Sequence, residues 1–247
     1  MPRILAENVS LVHPLFVGRN QTVEFQGSDK FVRNRAGRPI GVKALRDVSF
    51  EFSEGSRVGL IGANGSGKTT LLRVLAGILP PDEGVVTIEG RSTNLININL
   101  GTKADASGHR NITLQALASG YSREEIESKR REIVEFSELG DFLELPVNTY
   151  SAGMRMRLSF AIATAFEPEI LLLDEWLSAG DIDFKRKASK RMASFIDRAG
   201  VLVLASHSKA MLEENCERAI WLDEGIIRAD GPVKEVFAEY QKEKSTD

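Results

Sequence analysis

The spacing of apolar and polar positions separates strands from helices along this chain. Ile4, Leu5, Val9, Leu11 and Val12 place a strand over residues 3–12. Val48, Phe50 and Phe52 alternate with Ser49 and Glu51, the two-residue period of a half-covered sheet, so Val42 to Phe52 reads as one strand or two. Arg57 to Ile61, Val85 to Ile88 and Ala219 to Leu222 add short strands. Ile170 to Leu173 and Val201 to Leu204 do not alternate at all, and unbroken apolar runs of this kind belong to strands covered on both faces. Helical patterns occupy Lys68 to Ala76, ended by Gly77 and Pro80-Pro81, then residues 111–140, a stretch after Tyr150-Ser151, and residues 182–198. Within 111–140, Ser122-Arg123-Glu124-Glu125 is a helix start signal, with Glu three positions after Ser. Residues 14–41, rich in Gly, Asn, Arg and Gln, read as a loop-like insert.

Strand and helix alternate in the first and last thirds, while the middle is helical. The pattern predicts an α/β class and one domain, residues 1–247. Its α/β core would hold 1–101 and 166–247, with a helical subdomain inserted over about 102–165. No internal repeat is present.

Composition narrows the function. With 32 basic and 35 acidic residues, the chain has a formal net charge of -3. A protein that coats nucleic acid needs a basic excess, so nucleic acid is not expected as a partner. A single cysteine, Cys216, excludes an intrachain disulfide and a multi-cysteine zinc site. The apolar runs Leu158 to Phe166 and Ile170 to Leu173 meet charge long before the roughly 20 residues that a membrane span needs. The expectation is a protein soluble by itself, reaching a membrane only through a partner.

The sharpest chemical signal is Gly62-Ala63-Asn64-Gly65-Ser66-Gly67-Lys68-Thr69-Thr70, a complete G-x-x-x-x-G-K-[ST] string between a strand and a helix. Glycines let backbone N–H groups turn inward around phosphate oxygens, and the helix N-terminus adds partial positive charge. Lys68 is expected to reach the β- and γ-phosphates and the Thr69 hydroxyl to hold Mg²⁺. A second signal is the strand Ile170 to Leu173 ending in Asp174-Glu175. Alone this is equally a surface turn after a core strand. Beside a phosphate loop, Asp174 reads as a metal ligand and Glu175 as the base that activates water. His207 follows the strand Val203-Leu204-Ala205, at the strand end where parallel sheets place ligands. Ser151, in Tyr150-Ser151-Ala152-Gly153-Met154-Arg155, reads as a helix N-cap.

Together, in this order, the motifs resemble an ATP-binding cassette (ABC) ATPase over nearly the whole chain. The fold this implies is a P-loop NTPase of ABC type, with an N-terminal antiparallel β part and an inserted helical subdomain. Ser151 and Gly153 match the family's Ser-Gly-Gly-Gln signature, while Ala152 and Met154 depart from it. Asp181, in Glu175-Trp176-Leu177-Ser178-Ala179-Gly180-Asp181, stands at the Asp of the loop after the catalytic Glu. The variant signature, the Asp-Glu-x-Leu-x-x-Gly-Asp string and Ala44 to Phe50 after a basic insert are similar to the ATPases that export O-antigen, capsule or teichoic acid. The chain resembles their short form, without a C-terminal carbohydrate-binding domain.

The resemblance implies an ATP-hydrolysing energy subunit with ATP and Mg²⁺ as ligands. Its catalytic residues would be Glu175 and His207. It further implies a head-to-tail homodimer with two ATP at its interface, a separate membrane permease, and a peripheral place on the cytoplasmic face of the inner membrane. The helical insert, through residues such as Ile112 to Leu117, would dock the permease. Competing readings are an ATPase acting on DNA or ribosomes, and a transporter subunit for another substrate. The family's adenine-stacking aromatic would fall on His13 or Phe16. The glutamine that usually touches Mg²⁺ has no match in Asn97-Ile98-Asn99-Leu100-Gly101-Thr102-Lys103, and Gln115 sits farther into the following helix.

Overall fold

The computed structural model describes residues 1–15, 29–94, 101–174 and 182–244. It divides into two compact units, Met1–Glu89 with Val203–Asp247, and Gly90–Leu202. The expected boundaries, 101/102 and 165/166, differ from these. The strands Ser92–Asn94 and Ile170–Asp174 and the helix Ile182–Asp197 cluster with the helices of the middle segment.

In the first unit, β1 (Arg3–Pro14), β2 (Phe31–Arg33), β3 (Pro39–Phe52) and β5 (Glu83–Glu89) form an antiparallel sheet in the order β2-β3-β1-β5. β3 is one strand of 14 residues and begins inside the stretch read as a loop. Its register against β1 slips between Ala6 and Val9. There Asn8 and Asp47 both take positive φ, 52°, and the Asn8 amide donates to Asp47 Oδ1 at 2.7 Å. Their short polar side chains make this left-handed backbone tolerable.

The same unit holds β4 (Arg57–Ile61), the last part of β8 (Val201–Ala205), β9 (Arg218–Asp223) and β10 (Ile226–Pro232), in the order β10-β9-β4-β8. β4 runs parallel to β9, and β10 returns antiparallel. Val58, Leu60 and the whole of β8 are buried, as their unbroken apolar runs require. β4 leads into helix α1 (Lys68–Leu75). That helix stops where Ile78 N–H bonds back to Arg73 O and Gly77 turns left-handed. Short helix α6 (Lys209–Asn215) and α7 (Val233–Lys244) complete the unit. Burial pushes the Cys216 thiol up to about 12, so it stays protonated and unreactive.

In the second unit, β6 (Ser92–Asn94) pairs parallel with β7 (Ile170–Asp174). The helices are α2 (Gly108–Ala118), α3 (Arg123–Ser137), α4 (Ala152–Ala163) and α5 (Ile182–Asp197). Two 3-10 turns, Gly140–Glu144 and Val147–Thr149, separate α3 from α4. α3 starts with the expected capping box: Ser122 Oγ accepts from Glu125 N–H, and Glu125 accepts from Ser122 N–H. Ser151 caps α4 by accepting from Met154 N–H at 3.2 Å. Among the described residues no helix is long and apolar enough to cross a membrane.

Candidate nucleotide site

The first unit presents the phosphate loop as a turn that only this sequence accommodates. Gly67 caps α1 in the left-handed region, φ 111°, and a β-carbon there would stand 2.6 Å from Ala44 O. On Gly62, φ 151°, a β-carbon would collide with Leu222 O and lie 2.5 Å from Ser66 Oγ. Both positions therefore exclude side chains on steric and conformational grounds. α1 has no side-chain cap, so its N-terminal amides are the positive end of a helix opening into the loop. Lys68 is buried and donates to Gly62 O at 2.8 Å and Ala63 O at 3.0 Å, which holds its ammonium across the loop. Ser66 Oγ is buried and, among the described residues, has no hydrogen-bonding partner. An orphaned hydroxyl inside a ring of amides fits a phosphate oxygen.

The loop is braced from beneath by the β9–β10 turn, which the sequence reading did not assign. Gly225 N–H donates to Ser66 O at 2.9 Å, and Gly225 O accepts from Arg46 N–H at 2.8 Å. Arg46 Nε donates to Glu224 O at 3.0 Å. Only the Glu224-Gly225 pair after the strand hints at this turn, and nothing in it names the phosphate loop as its neighbour.

His13, on β1, reaches α1, with Nε2 3.2 Å from Thr70 Oγ1. Thr69 is half-buried in the first turn of α1. Ala63, Asn64 and Gly65 are exposed at the loop's tip. His207 is exposed just past β8, beyond the buried Ser206, whose hydroxyl accepts from Ser208 N–H at 3.1 Å. Glu175, Asp181, Phe16 and Asn97 to Leu100 lie outside the described residues.

Asp174, half-buried, ends β7 in the second unit. Among the described residues there is no cluster of three or more His, Cys, Asp or Glu that could hold a metal ion.

In the same unit, Ser151 and Gly153 open α4. A β-carbon on Gly153 would meet only Ser151 Oγ, at 3.8 Å. The glycine is not required by packing, so it leaves open space above a helix N-terminus.

Two residues that sequence reasoning missed anchor the segment before α2. Asn111 is fully buried: Oδ1 accepts from Lys103 N–H at 2.8 Å, and its amide donates to Lys103 O, Ala106 O and Ser107 O. Gln115, also buried, donates to Thr102 Oγ1 at 2.8 Å. The available signal was two amides, four apart, among the apolar positions Ile112 and Ala116. Asn111→Ala is expected to cost about 1–3 kcal/mol, because it leaves Lys103 N–H without its acceptor, while Lys103 O, Ala106 O and Ser107 O keep backbone donors; urea unfolding followed by circular dichroism measures it.

Ile112 is buried too, so it is unavailable for the docking expected of it. Among the described residues of this unit, the exposed large apolar side chains are Leu117, Phe142 and Leu145.

Comparison with known proteins gives the family. Over 232 residues the chain is 42% identical to the O-antigen export system ATP-binding protein RfbE of Yersinia enterocolitica, covering 92% of this chain and 97% of that protein. It is 43% identical to the teichoic acids export ATP-binding protein TagH of Listeria innocua, covering 81% of this chain but 59% of that longer protein. The dimeric structure of a post-hydrolysis ATP-binding cassette bound to ADP and Pi shares the fold, with a TM-score of 0.64 and 21% identity over 93% of this chain and 98% of that one. The ABC transporter family model matches residues 45–178, a stretch that begins on β3 and takes in the phosphate loop, the capped α4 and the end of β7, and the chain accordingly belongs to the ABC transporter family.

Proposed function

We propose that this chain is the ATP-hydrolysing subunit of a transporter that exports a lipid-linked polysaccharide, O-antigen-like or capsular, across the cytoplasmic membrane. The observation that carries the reading is the 42% identity to RfbE along 97% of that protein's length. It is supported by a phosphate loop in which Gly62 and Gly67 stand where side chains cannot fit, and by the buried Ser66 hydroxyl, which has no partner among the described residues.

In this reading the loop amides of Gly62 to Thr70 and the Lys68 ammonium hold the β- and γ-phosphates of ATP. Thr69 and Asp174 hold Mg²⁺, which supplies neutralisation of phosphate charge. Glu175 orients and deprotonates the attacking water, and His207 hydrogen-bonds the γ-phosphate. Two copies work head to tail. The partner's Ser151 and the partner's Gly153 bring a helix N-terminus with open space above it to the γ-phosphate, and Asp181 is assigned to the same nucleotide site. Docking on a separate permease from the cytoplasmic face would use the exposed Leu117, Phe142 and Leu145.

Deleting the gene in its host is expected to remove the surface polysaccharide and leave its lipid-linked form inside the cell. Re-expression of the chain should restore export, and re-expression of Lys68→Ala should not. Undiminished surface polysaccharide in the deletion strain would overturn the reading.

A further inference from the structure

α3 ends in a residue that conformation alone would not select. Glu138 closes the helix in the left-handed region, φ 55°. Glycine or asparagine normally takes that place, since a longer side chain is strained there. A strained residue is a reason to ask what its side chain does.

Its carboxylate bridges two other helices of the same unit. Oε1 accepts from Lys187 of α5 at 2.5 Å, and Oε2 accepts from Arg157 of α4 at 3.2 Å. Both cations rest on aromatic rings. The Lys187 ammonium is 4.6 Å from the Phe136 ring centre, and the Arg157 guanidinium is 4.7 Å from that of Phe184. Phe136 and Phe184 pack edge to face at 5.9 Å. One anion thus holds two like charges against one ring cluster. The carboxylate thereby ties α4 and α5 to the end of α3.

These pairs are too solvated to serve mainly as stability. The side chains of Arg157, Lys187 and Glu138 are 21%, 36% and 48% exposed, and such ion pairs contribute little to folding. Their placement is more informative. α4 carries Ser151 and Gly153 at its start, and α5 begins directly after residues 175–181. We propose that Glu138 is a positioning residue for the interface half of the nucleotide site. By clamping Arg157 and Lys187, it fixes the direction in which α4 presents Ser151 and Gly153 relative to α5. This rests on the head-to-tail reading of the site given above.

The test uses the full chain carrying Glu175→Gln, with MgATP, and compares that parent with E138G, E138Q and K187M. Three quantities are read: unfolding temperature, affinity for a fluorescent ATP analogue, and ATP-dependent dimerisation by sedimentation. E138G removes the carboxylate while relieving the left-handed strain. Its unfolding temperature and nucleotide affinity should therefore stay near the parent's, while dimerisation weakens roughly tenfold. E138Q should weaken dimerisation similarly. K187M keeps the carboxylate but removes one of the two cations it ties, and should weaken dimerisation in part while leaving the other two quantities near the parent's, a split that a merely structural role for Glu138 would not give. Dimerisation of E138G at the parent's strength, or a parallel fall of all three quantities, would overturn the proposal alone. A parent that stays monomeric with MgATP would overturn both the head-to-tail reading and the proposal built on it.

Discussion

Glu175→Gln should lower the ATP turnover of the purified protein by roughly 10²–10⁴-fold, the range expected when a positioned general base is removed. Glutamine keeps the size and a hydrogen-bonding end but cannot take a proton from water. The phosphate contacts assigned here belong to the loop amides, Lys68 and Ser66, and none belongs to Glu175. Binding of MgATP should accordingly survive within a few-fold, and the nucleotide should remain bound instead of being turned over. Steady-state phosphate release and equilibrium binding, measured on one preparation, separate the two effects. Normal turnover by Glu175→Gln would remove Glu175 from the mechanism. Equal loss of binding and turnover would place it among the phosphate ligands instead.

The second large effect is expected from Gly153→Asp. A side chain at 153 meets no protein atom closer than Ser151 Oγ at 3.8 Å. A carboxylate in the first turn of α4 also interacts favourably with the positive end of that helix. Folding stability should therefore be unchanged or slightly raised, by about 0.3–1 kcal/mol. Catalysis should fall roughly 100-fold or more, because the new charge would face the γ-phosphate of the neighbouring subunit's nucleotide in a confined site. Opposite signs for stability and activity are the diagnostic. Thermal unfolding and ATPase assays on the same sample check them, and wild-type activity in Gly153→Asp would show that nothing anionic approaches this helix end.

The elements that sequence made legible are those whose pattern is local. β4, β7 and β8 declare themselves as unbroken apolar runs, and α3 and α4 by Ser122 and Ser151 at their caps. β6 escaped because three residues are too few to show a period. β10 escaped because its residues are all partly or fully exposed, which leaves little apolar alternation to read. α7 was legible and went unread: Val233, Val236, Phe237 and Tyr240 have the i, i+3, i+4, i+7 spacing of a buried helical stripe. The division into units was not legible, since it depends on which elements pack together and not on where helices replace strands.

The same distinction holds at the site. The phosphate loop could be read because its chemistry is fixed by residue type at fixed spacing. Asn111, Glu138 and Gly225 could not, because each acts on a segment distant in sequence or through a conformation that composition does not encode. Asn111 could have been flagged as an amide at an apolar helical position, though its four partners, on Lys103, Ala106 and Ser107, are visible only once the segment has folded back.

The brace beneath the phosphate loop bears on the order in which the protein is made. A ribosome releases β4, the loop and α1 well before the Glu224-Gly225 turn. Until that turn arrives, Ser66 O lacks the amide of Gly225, and β4 lacks β9, its parallel neighbour. A nascent or prematurely terminated chain therefore carries every phosphate-binding residue from Gly62 to Thr70 without the support that shapes them. The loop therefore takes its final support only after residues 224 and 225 have been made, more than 150 positions beyond its own lysine.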